Sequence, residues 1–233
     1  MVSTATIVNW FTGRRGSLSA GARRLRSLVV ANRRLAVGLA LGALVVLGVA
    51  IGYFVWGSRR EANAAALLFK AENQMAVNTG SPEDIKKREE AVQMMAEVST
   101  RYPRSAAGAE ATLRLGNLYY TQGKYDEARN VYQDYLIKNP SGRIAFAAGI
   151  GVGDTYLAQR KYDKAVEIYS QLMNRFPLEA LLPEVYLNLA MTHINMKRTQ
   201  EAIRLYEKVV EGYSNTGWGH RAQAQLRKLR STQ

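Results

Sequence analysis

The chain has 233 residues, enough for one compact domain and a smaller appendage. No cysteine and only two histidines are present, which excludes disulfides, thiolate metal sites, a cysteine nucleophile and a lipid-modified cysteine. The net charge of +13 sits in the flanks around a nearly neutral body, whereas a nucleic-acid-binding domain carries a basic face of its own, so nucleic acid is not an expected partner.

Residues 1–34 hold Arg14, Arg15, Arg23, Arg24, Arg26, Arg33 and Arg34 and no acid. They read as a basic cytoplasmic arm without fixed structure. Leu35 to Trp56 then runs for 22 residues with neither charge nor proline. As a helix it is about 33 Å long, against ~30 Å of bilayer hydrocarbon. A cleaved signal has a shorter apolar region, roughly 7–15 residues. Residues 35–57 are therefore expected to form a single transmembrane helix. Tyr53 and Trp56 supply interfacial rings at its far end. The excess of arginine before the span over Arg59 and Arg60 after it predicts a cytoplasmic N-terminus and an extracytoplasmic body, periplasmic in a bacterium. Gly38, Gly42, Gly48 and Gly52 form two GxxxG pairs, a spacing that lets a partner helix approach closely in the membrane.

Residues 58–104 read as a linker helix and a degenerate first repeat. Arg60–Val77 is its first helix. Ser81-Pro82-Glu83-Asp84 is a helix start, with a capping serine, a first-turn proline and acids at the positive helix end. From 105 to 214 the chain repeats itself. Residues 116–140, 153–177 and 190–214 align without a gap at an offset of 37. Small residues recur at Gly116, Gly153 and Ala190, and alanine at Ala91, Ala128, Ala165 and Ala202. Large side chains recur at Met95, Tyr132, Tyr169 and Tyr206, and proline at Pro103, Pro140 and Pro177. Each unit reads as two helices that cross where one carries Gly or Ala and an aromatic ring fills the space beside it. A single pair cannot bury its apolar face, so the copies must stack. Residues 215–233 contain a terminal helix, 217–230, with Ala222, Leu226 and Leu229 on one face and a basic opposite face, suited to capping the stack.

Little in the chain suggests catalysis. Gly149-Ile150-Gly151-Val152-Gly153 lacks the third glycine and the preceding strand of a dinucleotide loop. His193 stands in the tyrosine column and reads as a packed, hydrogen-bonded histidine with no second ligand nearby, and His220 is alone. Glu89-Glu90 and Asp126-Glu127 line exposed helix faces. The expectation is a non-enzymatic protein without cofactor or metal.

The columns resemble the tetratricopeptide repeat. That family's small, tyrosine, alanine, aromatic and proline positions match Gly116, Tyr119, Ala128, Tyr132 and Pro140, then Gly153, Tyr156, Ala165, Tyr169 and Pro177. The third copy matches with Ala190, His193, Ala202 and Tyr206. The resemblance implies an all-α solenoid whose first helices line a protein-binding groove. Its groove positions fall on Glu110, Leu113, Asn117, Tyr120 and Thr121, on Ala147, Ile150, Asp154, Leu157 and Ala158, and on Glu184, Leu187, Met191, Ile194 and Asn195. Arg129 is expected to face outward. Residues 35–76, with an LAVG start, spaced glycines, an aromatic end and an alanine-rich helix, resemble the YfgM-type ancillary subunits of the Sec translocon. The repeats resemble those of BamD and the TolA-binding proteins. These resemblances imply an inner-membrane scaffold recruiting translocon subunits, periplasmic chaperones or nascent chains. The alternative is a structural or assembly subunit of a larger envelope or membrane-enzyme complex.

Overall fold

The computed structural model describes residues 33–76 and 81–231, and all described elements are helices. Most of the basic arm, residues 1–32, lies outside the described residues. The chain forms two compact parts, Met1–Ser58 and Arg59–Gln233. Helix α1, Arg33–Ala76, enters both.

In the first part, the stretch of α1 from Val37 onward is long and apolar enough to cross a membrane by length and composition. Its large side chains stand exposed, among them Leu39, Tyr53 and Phe54. A Cβ added at Gly38, Gly42, Gly48 or Gly52 would meet nothing within 4 Å.

In the second part, the rest of α1 is followed by α2 (Pro82–Arg101), α3 (Ala106–Thr121), α4 (Tyr125–Lys138), α5 (Ala145–Ala158), α6 (Tyr162–Arg175), α7 (Leu182–Asn195), α8 (Thr199–Tyr213) and α9 (Gly217–Arg230). From α2 onward each helix packs on the next, and α3, α5, α7 and α9 also touch in sequence, forming a row of first helices. The start signals act as the sequence predicts. Ser81 accepts the Asp84 N–H at 3.2 Å, with Pro82 in the first turn. Ser105 and Thr216 cap α3 and α9 in the same way, through Gly108 and Gly219. Glu61 on α1 accepts the N–H groups of Ala106 and Ala107 at 3.0 and 3.2 Å, satisfying two more open donors at the start of α3.

Turns within units repeat as closely as the helices. The N–H groups of Lys124, Lys161 and Arg198 donate to the carbonyls of Tyr119, Tyr156 and His193, the bond that closes a helix on a left-handed residue. That residue is Gly123 in the first of these turns, φ 74°, but Arg160 and Lys197 in the next two, at φ 59° and 60°. Between units, Asn139 and Arg175 tie successive connections by donating to the carbonyls of Pro103 and Pro140.

The core is built on absent side chains. The Tyr132 ring occupies the space a Cβ would need at both Gly116 and Gly151, and the Tyr169 ring does so at Gly153. Gly149 faces Leu172 in the same way. The glycine run of α5 is therefore a packing surface inside a helix. Three buried clusters follow along the second part, centred on Leu68 and Met95, on Tyr132, and on Tyr169 and Tyr206.

Gly153→Ala should destabilise the repeats by about 1–3 kcal/mol, because the Tyr169 ring has nowhere to go. Gly212→Ala, with open space around it, should be neutral or stabilising by up to ~1 kcal/mol. Thermal unfolding of both variants in detergent, followed by circular dichroism, measures this, and equal midpoints would remove the packing account.

Candidate functional site

The expected groove residues lie on α3, α5 and α7, the first three helices of the row that α9 ends. On α3, Glu110, Asn117 and Thr121 are exposed, and Leu113 and Tyr120 are half-buried. Glu110 is held by Arg114 at 2.6 Å, and Arg114 reaches Glu72 of α1 at 3.2 Å. Tyr120 packs edge-on against Tyr125, with ring centroids 5.3 Å apart. On α5, Ala147, Asp154, Leu157 and Ala158 are half-buried. On α7, Met191 and Asn195 are exposed and Ile194 is half-buried.

Two expected groove residues are core instead. Ile150 is 8% exposed and Leu187 4% exposed, and both join the cluster around Tyr169. Glu184 is on the wall but already occupied. It accepts the Trp218 indole N–H at 2.7 Å and pairs with Arg221 at 3.1 Å, both from α9. The terminal helix thus takes the place of a fourth first helix, and the column Glu110–Ala147–Glu184 continued by 37 residues lands on Arg221. Arg129 does not face outward. It is half-buried, hydrogen-bonded to Gln159 at the end of α5 at 3.0 Å, paired with Asp126, and set 4.6 Å over the Tyr156 ring.

The wall's polar atoms are organised from beneath. Tyr132 donates its hydroxyl to Asn117 at 2.7 Å, and one repeat later Tyr169 donates to Asp154 at 2.5 Å. Asn188 of α7, which the sequence reading missed, donates to the same Asp154 oxygen at 2.9 Å. No cation pairs with Asp154 among the described residues. Burial pushes its carboxyl up to about 6, against the opposing pull of the Tyr169 bond. The Tyr169 hydroxyl is raised far above its usual value by the same burial and by the neighbouring carboxylate. In the third repeat the equivalent wall position is Met191, and Tyr206 has no acceptor there. His193 is partly buried, which lowers its pKa, and its buried Nδ1 has no hydrogen-bond partner, so the hydrogen bond expected of it is not made at that atom. At the first end of the row a depression of about 510 Å³ lies between α1 and α3, lined by Glu72, Met75, Arg114, Asn117 and Thr121.

Antiparallel helix pairs stacked in register, with their first helices forming one wall, define a helical-repeat scaffold of the kind that binds other proteins. A family profile described as "Tetratricopeptide repeat-like domain" matches residues 33–175, and a second, "Tetratricopeptide repeat", matches 183–211. The chain belongs to the tetratricopeptide repeat-like family. No curated protein sequence matches it. Among solved structures, it is similar to a putative kinesin light chain with nearly identical repeats from Podosopora anserina, with 17% identity and a TM-score of 0.53, covering 75% of this chain and 86% of that one. It is also similar to a tetratricopeptide repeat protein from Parabacteroides merdae, with 18% identity and a TM-score of 0.53, covering 72% of this chain but only 60% of that one. At these identities the likeness is one of fold.

Asp154 carries a pKa above that of an unfolded carboxylate, so the folded state binds the extra proton and its stability falls as pH rises from 3.8 to about 6. Asp154→Asn keeps an acceptor for Tyr169 and mimics Asn117 of the preceding repeat. It should be more stable than the parent above about pH 6, by about 1–3 kcal/mol, with the difference vanishing below about pH 4. Urea midpoints of both proteins across that range test this, and a constant difference would contradict it.

Proposed function

We propose that this is a membrane-anchored protein-interaction scaffold of a bacterial inner membrane, held by the apolar stretch of α1 with its repeats on the far side. The observation that carries this reading is the extent of the family match. It begins at residue 33 and so takes in the uncharged 35–56 stretch together with the repeats. The arginines of the N-terminal arm favour a cytoplasmic N-terminus. The domain division is then arm to residue 34, span 35–57, linker helix and first unit 58–104, three repeats 105–214, and the cap beyond.

The binding surface is the wall of first helices, centred on Asn117, Tyr120, Asp154, Leu157, Met191, Ile194 and Asn195. Apolar side chains lie half-open there beside hydrogen-bonding groups whose positions are fixed from below, the mixture that protein interfaces use. The partners that suit such a wall beside a membrane span are translocon subunits, periplasmic chaperones or emerging chains. Four glycines of the span with open space about them favour a second contact, a partner helix inside the membrane, as a subunit of a larger complex would have.

A photocrosslinking residue placed in living cells at Asn117, Tyr120 or Met191 should give protein adducts that one at Gln171, exposed on α6, does not. Identification of the adducts by mass spectrometry names the partner. Equal labelling at all four sites, or none at the three wall sites, would leave the wall without a binding role.

A further inference from the structure

Asp154 carries a charge that the packing does not require. One repeat earlier Asn117 stands at the same place and accepts the Tyr132 hydroxyl as a neutral amide. Asp154 accepts the Tyr169 hydroxyl in the same way, so an amide would serve the fold there too. The carboxylate is instead disfavoured, by burial that holds it at about 6 and by the charge of Glu184. What it adds to an amide is a negative charge, and that charge is open on one side. Both hydrogen bonds, from Tyr169 of α6 and Asn188 of α7, arrive at Oδ1. Oδ2 accepts none among the described residues and is not sealed from solvent. Arg221 of α9 is committed to Glu184, and Arg129 of α4 to Asp126 and Gln159. Tyr120 of α3 and Tyr132 of α4 face Asp154 as hydroxyls, raised first by burial and then by its charge.

The wall around this carboxylate is uncharged. One turn further along the first helices, Tyr120, Leu157 and Ile194 form a half-buried column. Met191, at the level of Asp154 one repeat on, is 45% exposed. We propose that Asp154 receives a cationic side chain, a lysine or arginine set between apolar residues in a segment of a partner protein lying across α3, α5 and α7. The site rests on the interaction wall proposed above and fixes the kind of partner it takes. A cation at Oδ2 supplies the opposite charge that the fold withholds. The partial burial that disfavours the lone carboxylate strengthens its pairing with that cation. The aliphatic stem of the lysine or arginine lies on the apolar column, and the flanking apolar residues cover Leu157 and Met191.

The test uses the full chain in lipid nanodiscs and a displayed library of random short peptides, selected on the parent and on Asp154→Asn. Peptides selected on the parent should carry a lysine or arginine flanked by apolar residues, an enrichment absent from those selected on Asp154→Asn. For one such peptide, followed by fluorescence anisotropy, Asp154→Asn should weaken binding roughly tenfold. Replacing the peptide's basic residue by glutamine should do the same, and both changes together should weaken it no further. The same variant should gain stability while it loses binding, which a loss of structure would not produce. At about pH 5 roughly a tenth of Asp154 is ionised, so the parent should bind the peptide about tenfold more weakly than at about pH 7.5, and Asp154→Asn should show no such change. Peptides with no basic preference, or with one that survives Asp154→Asn, overturn the cation site. If such peptides still crosslink to a photoreactive residue at position 191 and not to one at position 171, the wall stands. Equal crosslinking at both positions, or recovery of no peptide, overturns the wall and the site together.

Discussion

The central repeats depend on a tyrosine ring lying where a neighbouring helix has no side chain. At Gly116, Gly151 and Gly153 a single added carbon would overlap Tyr132 or Tyr169. Because Tyr132 meets a glycine of its own unit and another of the next, it fixes both the crossing inside a pair and the step from one pair to the following one. A spacing of 37 residues is the sequence trace of that step.

The same rings also support the wall of first helices. Their hydroxyls emerge between the first helices and hold Asn117 and Asp154 from beneath. The wall's polar groups are thus positioned by the core, and the conformational entropy of fixing them is spent on folding. Where the column changes to Met191 the wall becomes apolar, so its two ends differ in chemistry although their backbones repeat.

Much of this was legible in the sequence because repetition reports packing directly. The small and aromatic columns located the helix crossings, Ser81 marked the start of α2, and the terminal helix fell at 217–230 as read. What failed depends on the angle between neighbouring units, which no column encodes. Ile150 and Leu187 occupy formally outward positions yet are buried in the cluster around Tyr169. Arg129 looks like a surface residue of α4 until α5 brings Gln159 and Tyr156 to it. Glu184 looks free until Trp218 arrives from the cap, although continuing the groove column to Arg221 pointed there. Asn188 lies outside the family's groove pattern, and only its approach to Asp154 reveals its part.

The left-handed turn residues have a consequence for how the molecule loosens. Gly123 adopts that backbone without strain, whereas Arg160 and Lys197 each carry about 1 kcal/mol of it. In a stack whose units touch only their neighbours, such local differences are not averaged over the whole. Breathing motions should therefore be graded along the chain, most frequent in the later repeats and rarest around Tyr132, so that amide protons exchange with solvent sooner in α7 and α8 than in α3 and α4.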